Sequence, residues 1–272
     1  MKKYSIVFDN KCAVCNTSVK TFQKLGFLES IQAIELDKFR ENNLACNVNP
    51  VRACNEMAVI NNESLEVSYG YDGYVNLLGV RFKRLSKFMS VKTIRALLNP
   101  FYHFIASNRR VIAPIKGSES TCIPTLRKGY RFLFLLMVSF YSIAITYLKG
   151  ELLSEYNGLN FLSGERLILT TGLGWIFVGL FYKKANKWEY WGHLAMIACF
   201  GVLIQSFTLL GFYFFQNFLW IFVGIALSDL FMLWMHYNRM KIIQENQIQT
   251  LIWWVSLHFI AGVQIVFYSN TI

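Results

Sequence analysis

The chain has 272 residues, 16% charged, 17% aromatic and 54% hydrophobic, with mean hydropathy +0.36. That composition excludes disorder, a collagen-like repeat and a small disulfide-stapled scaffold. The net charge of +11 would suit nucleic acid, but residues 1–131 hold 20 of the 27 Lys and Arg and 10 of the 16 acids, net +10, whereas residues 132–272 hold 7 and 6, net +1. The chain is two unlike halves, and the second, with 13 charges in 141 residues, has the composition of a membrane domain.

In chain order, Tyr4–Phe8 predicts a strand and Asp9-Asn10-Lys11 a turn. Cys12-Ala13-Val14-Cys15-Asn16 then opens a helix over Thr17–Leu25, whose Val19, Phe22 and Leu25 fall at helical spacing. A second strand is expected at Ile31–Leu36, followed by a polar, Asn-rich region to about Cys54. Met57–Ile60 and Ser64–Ser68 flank Asn61-Asn62-Glu63, a hairpin signal. Helices are expected at about 71–80, 84–90 and 92–107. The order β-α-β-α-β-β-α is that of a thioredoxin-like domain.

Cys12 at a helix start has a chemical consequence. Unpaired N–H groups and the positive end of the helix dipole favour thiolate over thiol there. Cys15, one turn on, shares that side and is placed to close a disulfide with Cys12. Lys11 would lower the thiol pKa further, while Asp9 would raise it or relay a proton. The competing reading is zinc, with Cys46 and Cys54 as third and fourth ligands, but seven residues separate those two against the two to four usual in a knuckle. The plainer reading of Cys46 and Cys54 is a pair of loop or half-buried thiols, and no metal is expected. Met1-Lys2-Lys3 runs straight into a strand too short for a signal-peptide core. The amino-terminal half is therefore expected in the cytoplasm, where cysteines serve as thiols or redox centres rather than as permanent bridges.

Asp9-x-x-Cys12-x-x-Cys15 after an apolar strand resembles the signature of the DCC family of thiol-disulfide oxidoreductases, named for one Asp and two Cys. The similarity extends to about residue 114 through Leu36-Asp37, Gly70-Tyr71-Asp72-Gly73 and Asn108-Arg109. Asn10 stands where the family usually has Gly, and Asn tolerates the left-handed backbone such a turn needs. Thioredoxins proper carry a cis-proline before the third strand, whereas Asn55-Glu56 precede Met57 here. The resemblance implies thiol-disulfide exchange with a thiol or disulfide protein partner. Cys12 would be the attacking thiolate, Cys15 the resolving thiol and Asp9 the turn-shaping or proton-handling group, with no separate cofactor.

Lys83, Arg84, Lys87, Lys92, Arg95, Arg109 and Arg110 make up the basic excess of this half. They suit the negatively charged inner leaflet of a bilayer better than RNA.

Beyond a linker at 115–129, the membrane domain of residues 130–272 reads as five helical spans at about 130–148, 165–182, 190–212, 217–237 and 249–269, each near the roughly 20 apolar residues that cross a bilayer. Phe214-Phe215-Gln216-Asn217 interrupts the third and fourth, which predicts a tight hairpin. Basic residues gather in every second connection: Arg127, Lys128 and Arg131; Lys183, Lys184 and Lys187; Arg239 and Lys241. That alternation puts the amino-terminal domain in the cytoplasm and the carboxyl terminus outside. The expected architecture is thus an α/β thioredoxin-like domain, residues 1–114, followed by an all-α polytopic membrane domain.

Polar groups inside spans are costly and by default suggest function. Here they are Gln205, Asp229, His258 and Gln264, with His193 and His236 nearer the ends. Ser139, Cys199, Asp229 and His258 fall at similar depth, so an Asp229–His258 hydrogen bond is expected within a polar layer. That layer is either helix-packing glue or a headgroup site, for instance for a quinone exchanging electrons with the cysteine pair. Two functions follow: a membrane-tethered thiol-disulfide oxidoreductase, or a transporter or quinone- or lipid-binding protein whose cytoplasmic domain senses redox state.

Overall fold

The computed structural model describes residues 3–27, 31–36, 38, 47–114, 124–155, 163–166, 168–169, 172 and 187–243. The chain divides into two compact units, Met1–Arg131 and Phe132–Ile272.

The first unit is built on a mixed four-stranded sheet: β1 (Tyr4–Phe8), β2 (Ile31–Glu35), β3 (Ala58–Asn61) and β4 (Val67–Tyr69), in the order β2-β1-β3-β4. β1 runs parallel to β2, with Ile6 opposite Ala33, and antiparallel to β3, with Ile6 opposite Val59. β3 and β4 form the antiparallel hairpin. Side chains alternate across the sheet. Ile6 and Phe8 join Val19, Phe22, Met57, Val59 and Leu77 on one face, while Val7 joins Ile34, Ala53, Ala58 and Ile60 on the other. Both faces being covered explains why β1 reads as a continuous apolar run rather than an alternating one.

Helix α1 (Ala13–Phe22) follows β1 and runs on into a π-helical turn at Gln23–Phe27. Cys12 caps its start, as expected, and Cys15 lies in its first turn. Helix α2 (Pro50–Asn55) starts with a strong local signal: the Asn49 side chain accepts from Arg52 N at 3.0 Å, and Pro50 occupies the first turn. Helices α3 (Gly70–Arg81), α4 (Lys83–Met89) and α5 (Lys92–Ile112) close the unit. Gly70 sits at φ +60°, and a Cβ there would lie 2.8 Å from the Tyr102 ring. Only glycine turns the chain from β4 into α3 at that spacing.

Among the described residues of the second half, three helices are long and apolar enough to cross a membrane: α6 (Lys128–Glu155), α7 (Lys187–Phe215) and α8 (Leu219–Ile242), with hydropathies of 1.8, 2.0 and 1.7. Three therefore stand where five were expected. Most of 165–182, and all of 249–269 with His258 and Gln264, lie outside the described residues. Large apolar side chains point outward, Phe140 being 76% exposed, the inverse of a water-soluble helix. The hairpin appears as expected: Gln216 takes φ +52° between α7 and α8. The two helices pack closely where Gly201 meets Met232 and Gly224 meets Thr208, leaving no room for a Cβ at either glycine.

Candidate redox site

The site is assembled where β1 ends. Asp9 is buried; its Oδ1 accepts from Lys11 N at 3.1 Å and its backbone carbonyl accepts from Cys12 N at 3.2 Å. These two bonds turn the chain so that Cys12 becomes the N-cap of α1, with extended backbone and its Sγ accepting from Cys15 N at 3.4 Å. A sulfur in the position usually taken by Ser or Asp meets the unpaired amides of the first helical turn.

Cys12 is 1% exposed and Cys15 half-buried, and both are free thiols. The Cys12 thiol is held down to about 6: a hydrogen bond from the Cys15 side chain is the main cause, burial opposes it, and the Arg109 guanidinium adds to it. Cys15 is pushed strongly upward, first by that same hydrogen bond and then by burial. The pair is therefore differentiated, with Cys12 as the thiolate at neutral pH and Cys15 holding the proton.

The cation expected from Lys11 is supplied by Arg109. It reaches in from α5, 4% exposed, and donates to Cys54 O at 2.6 Å and Asn55 O at 3.4 Å. Its Nη2 lies 3.9 Å from Asp9 Oδ2, which has no hydrogen-bond partner among the described residues. Arg109 thus belongs to the site and leaves the surface basic set in which its sequence neighbours placed it.

Tyr74 of α3 is a further component that no sequence motif marked. Its hydroxyl pairs with Ser18, burial raises it, and both cysteines act on it electrostatically. Its ring packs against Phe22 and Tyr102, centroids 5.5 and 5.7 Å away. Close by, buried Glu56 gathers Arg127 at 3.3 Å, His103 at 3.6 Å and Arg52 at 3.7 Å.

Cys54 is disulfide-bonded, with its partner outside the described residues, so it is neither the half-buried thiol expected nor a zinc thiolate. Among the described residues no cluster of three metal-ligating side chains occurs; Cys46 and Cys122 lie outside them.

In the second unit, Lys149 Nζ donates to Gln205 Oε1 at 2.8 Å, and Gln205 Nε2 donates to Ser228 Oγ at 2.8 Å. Gln205 is therefore part of a polar network that joins Lys149 of α6 to Ser228 of α8. Asp229 acts electrostatically on Lys149, whereas Ser139 is exposed. The expected Asp229–His258 bond lies outside the described residues. At the other end of the hairpin, His193 and Arg239 pair at 3.1 Å.

Residues 6–113 match the family model of DCC1-like thiol-disulfide oxidoreductases. No curated protein and no solved structure matches the chain.

Proposed function

We propose that the DCC1-like thiol-disulfide oxidoreductase domain of residues 6–113 is a thioredoxin-like redox enzyme tethered to a membrane by the helices that follow it. The observation that carries the reading is the Cys12 sulfur at the N-cap of α1, accepting from Cys15 N at 3.4 Å, beside a buried arginine. The order β2-β1-β3-β4 with parallel β1 and β2 supports the thioredoxin-like assignment.

In reduction of a protein disulfide, the Cys12 thiolate attacks one sulfur of the partner. A Cys12–partner bond forms, the partner's S–S bond breaks, and one partner sulfur leaves as thiolate. Cys15 then gives up its proton and attacks the Cys12 sulfur, forming the Cys12–Cys15 disulfide and releasing the second partner sulfur. Two electrons pass to the partner, and the Cys15 proton goes to a departing thiolate. Asp9 Oδ2, buried and without a hydrogen-bond partner among the described residues, is the group placed to carry it. Oxidation of a dithiol runs the same steps in reverse, and neither direction requires a separate cofactor.

A Cys15→Ser variant expressed at full length tests this. Cys12 should accumulate a reductant-sensitive mixed disulfide with a protein partner, and Cys12→Ser should accumulate none. No capture, together with Cys12 reactivity no greater than that of an ordinary thiol, overturns the reading.

The basic connections support a cytoplasmic domain and an outside carboxyl terminus. A second placement, with the domain on the oxidising side, is favoured by the disulfide at Cys54. The Lys149–Gln205–Ser228 network favours a second function, in which the membrane half transports or binds a quinone or lipid and the first domain senses redox state.

A further inference from the structure

Arg81–Phe101, from the end of α3 through α4 into α5, holds six basic residues and no acid: Arg81, Lys83, Arg84, Lys87, Lys92 and Arg95. Two are engaged within the domain, Arg95 with Asp72 and Arg81 with the Leu25 carbonyl. Lys83, Arg84, Lys87 and Lys92 make no ion pair among the described residues. The same segment exposes Phe82, Leu85, Phe88, Val91, Leu97 and Phe101, each between 42% and 71%. Water-soluble surfaces seldom carry so many large apolar groups within so short a stretch.

Helix geometry sorts α4. Ser86 faces inward, its hydroxyl donating to Val75 O at 2.9 Å. At 100° per residue, Arg84 and Phe88 lie opposite it, flanked by Leu85 and Lys87. In α5, Leu97 and Phe101 stand one turn apart on one side, while Asn108 and Arg109 further along are buried. Aromatic and aliphatic groups interleaved with unpaired cations, free of acids, are the chemistry of a helix lying in a lipid–water interface. A nucleic-acid surface would not need the aliphatic ones.

We propose that α4 and the first half of α5 form an in-plane anchor that docks on an anionic bilayer surface, with Leu85 and Phe88 entering the headgroup–acyl boundary and Lys83, Arg84, Lys87 and Lys92 meeting lipid phosphates. The inference rests on the reading that the later helices span a bilayer, and it does not depend on the redox chemistry. The candidate span α6 starts at Lys128, so the chain that carries this segment also enters the bilayer it would bind.

The test uses the full chain, one copy per lipid nanodisc, in zwitterionic lipid or with about 30% anionic lipid. Backbone hydrogen exchange over 83–101 should slow about fivefold or more in the anionic discs. Lys83→Glu/Arg84→Glu/Lys87→Glu should abolish the difference, and Leu85→Ser/Phe88→Ser should reduce it. Unchanged exchange in β1 and β3 reports that each variant is folded, and incorporation into discs reports the spans separately. Equal exchange in the two lipids overturns the proposal. So does protection that appears only with two copies per disc, which identifies a second chain as the partner, or only on adding RNA.

Discussion

Arg109 Nη2 stands 3.9 Å from Asp9 Oδ2, both side chains 5% exposed, and the two act on Cys12 with opposite sign. Arg109 lowers the thiol and Asp9 raises it. This opposed pair gives the site a direct electrostatic test.

Replacing Arg109 with Met removes the buried positive charge. The midpoint of Cys12 alkylation against pH, expected at about 6 in the parent from the lowered thiol, should rise by about one pH unit or more, and the reduction potential should become more negative as the thiolate loses support. Arg109→Lys should restore part of both, because it keeps the charge while losing the fork that holds Cys54 O and Asn55 O. An unchanged alkylation profile in the Met variant would remove Arg109 from the electrostatics of the site.

Asp9→Asn keeps the oxygen that accepts from Lys11 N, so the turn should survive. With the negative charge gone, the Cys12 midpoint should fall below its parent value, opposite in sign to the arginine variant. If the carboxylate carries the Cys15 proton, resolution of a preformed mixed disulfide should nevertheless slow by about 10²-fold, following the usual worth of a general base. Rapid-quench measurement of that step separates the two effects.

Gly70→Ala places a Cβ at φ +60° against Tyr102, whose hydroxyl oxygen accepts from Met57 N at 3.3 Å. The strained backbone should cost about 1–3 kcal/mol, read as a lower denaturant midpoint for the first unit. The span helices should keep their helical signal.

Gln205→Leu strips the half-buried Lys149 amine of its acceptor and should destabilise the second unit by about 1–3 kcal/mol. The double variant Lys149→Met/Gln205→Leu should recover most of that loss if the network is packing alone. Cellular function unaffected in the double variant marks the later helices as an anchor, whereas its loss with thiol-disulfide exchange and Cys12 alkylation intact favours the transport or ligand-binding reading.

A membrane-impermeant thiol reagent applied to intact cells should leave Cys12 unlabelled until the membrane is opened, as the basic connections imply. Labelling without permeabilisation would place the domain on the outer side, in keeping with the disulfide at Cys54.

The sequence disclosed what is encoded locally. β1 falls where its apolar run predicts, the β3–β4 hairpin sits around its Asn-rich turn, and Cys12 opens α1 because a short polar turn must follow a buried strand. The register of β1 between β2 and β3 was hidden, since it depends on pairings across tens of residues. Arg109 stood both in the Asn108-Arg109 pair of the family resemblance and in the basic surface set, and the choice between them depends on how α5 packs, which leaves Arg109 buried. The pairing of Lys149 with Gln205 was hidden because hydropathy along one helix cannot show which polar group stands beside it in another. Cys54 carried no spacing signal for its disulfide.

Arg109 is held by the neutral carbonyls of Cys54 and Asn55, and its distance from Asp9 exceeds a hydrogen bond. Its charge therefore stays available to the sulfur. When Cys12 and Cys15 join, the thiolate disappears and one negative charge is withdrawn from a buried cation. Oxidation of this pair is then a charging event in a low-dielectric place as well as a bond-forming one, and any nearby change of charge shifts the balance between dithiol and disulfide without touching either sulfur.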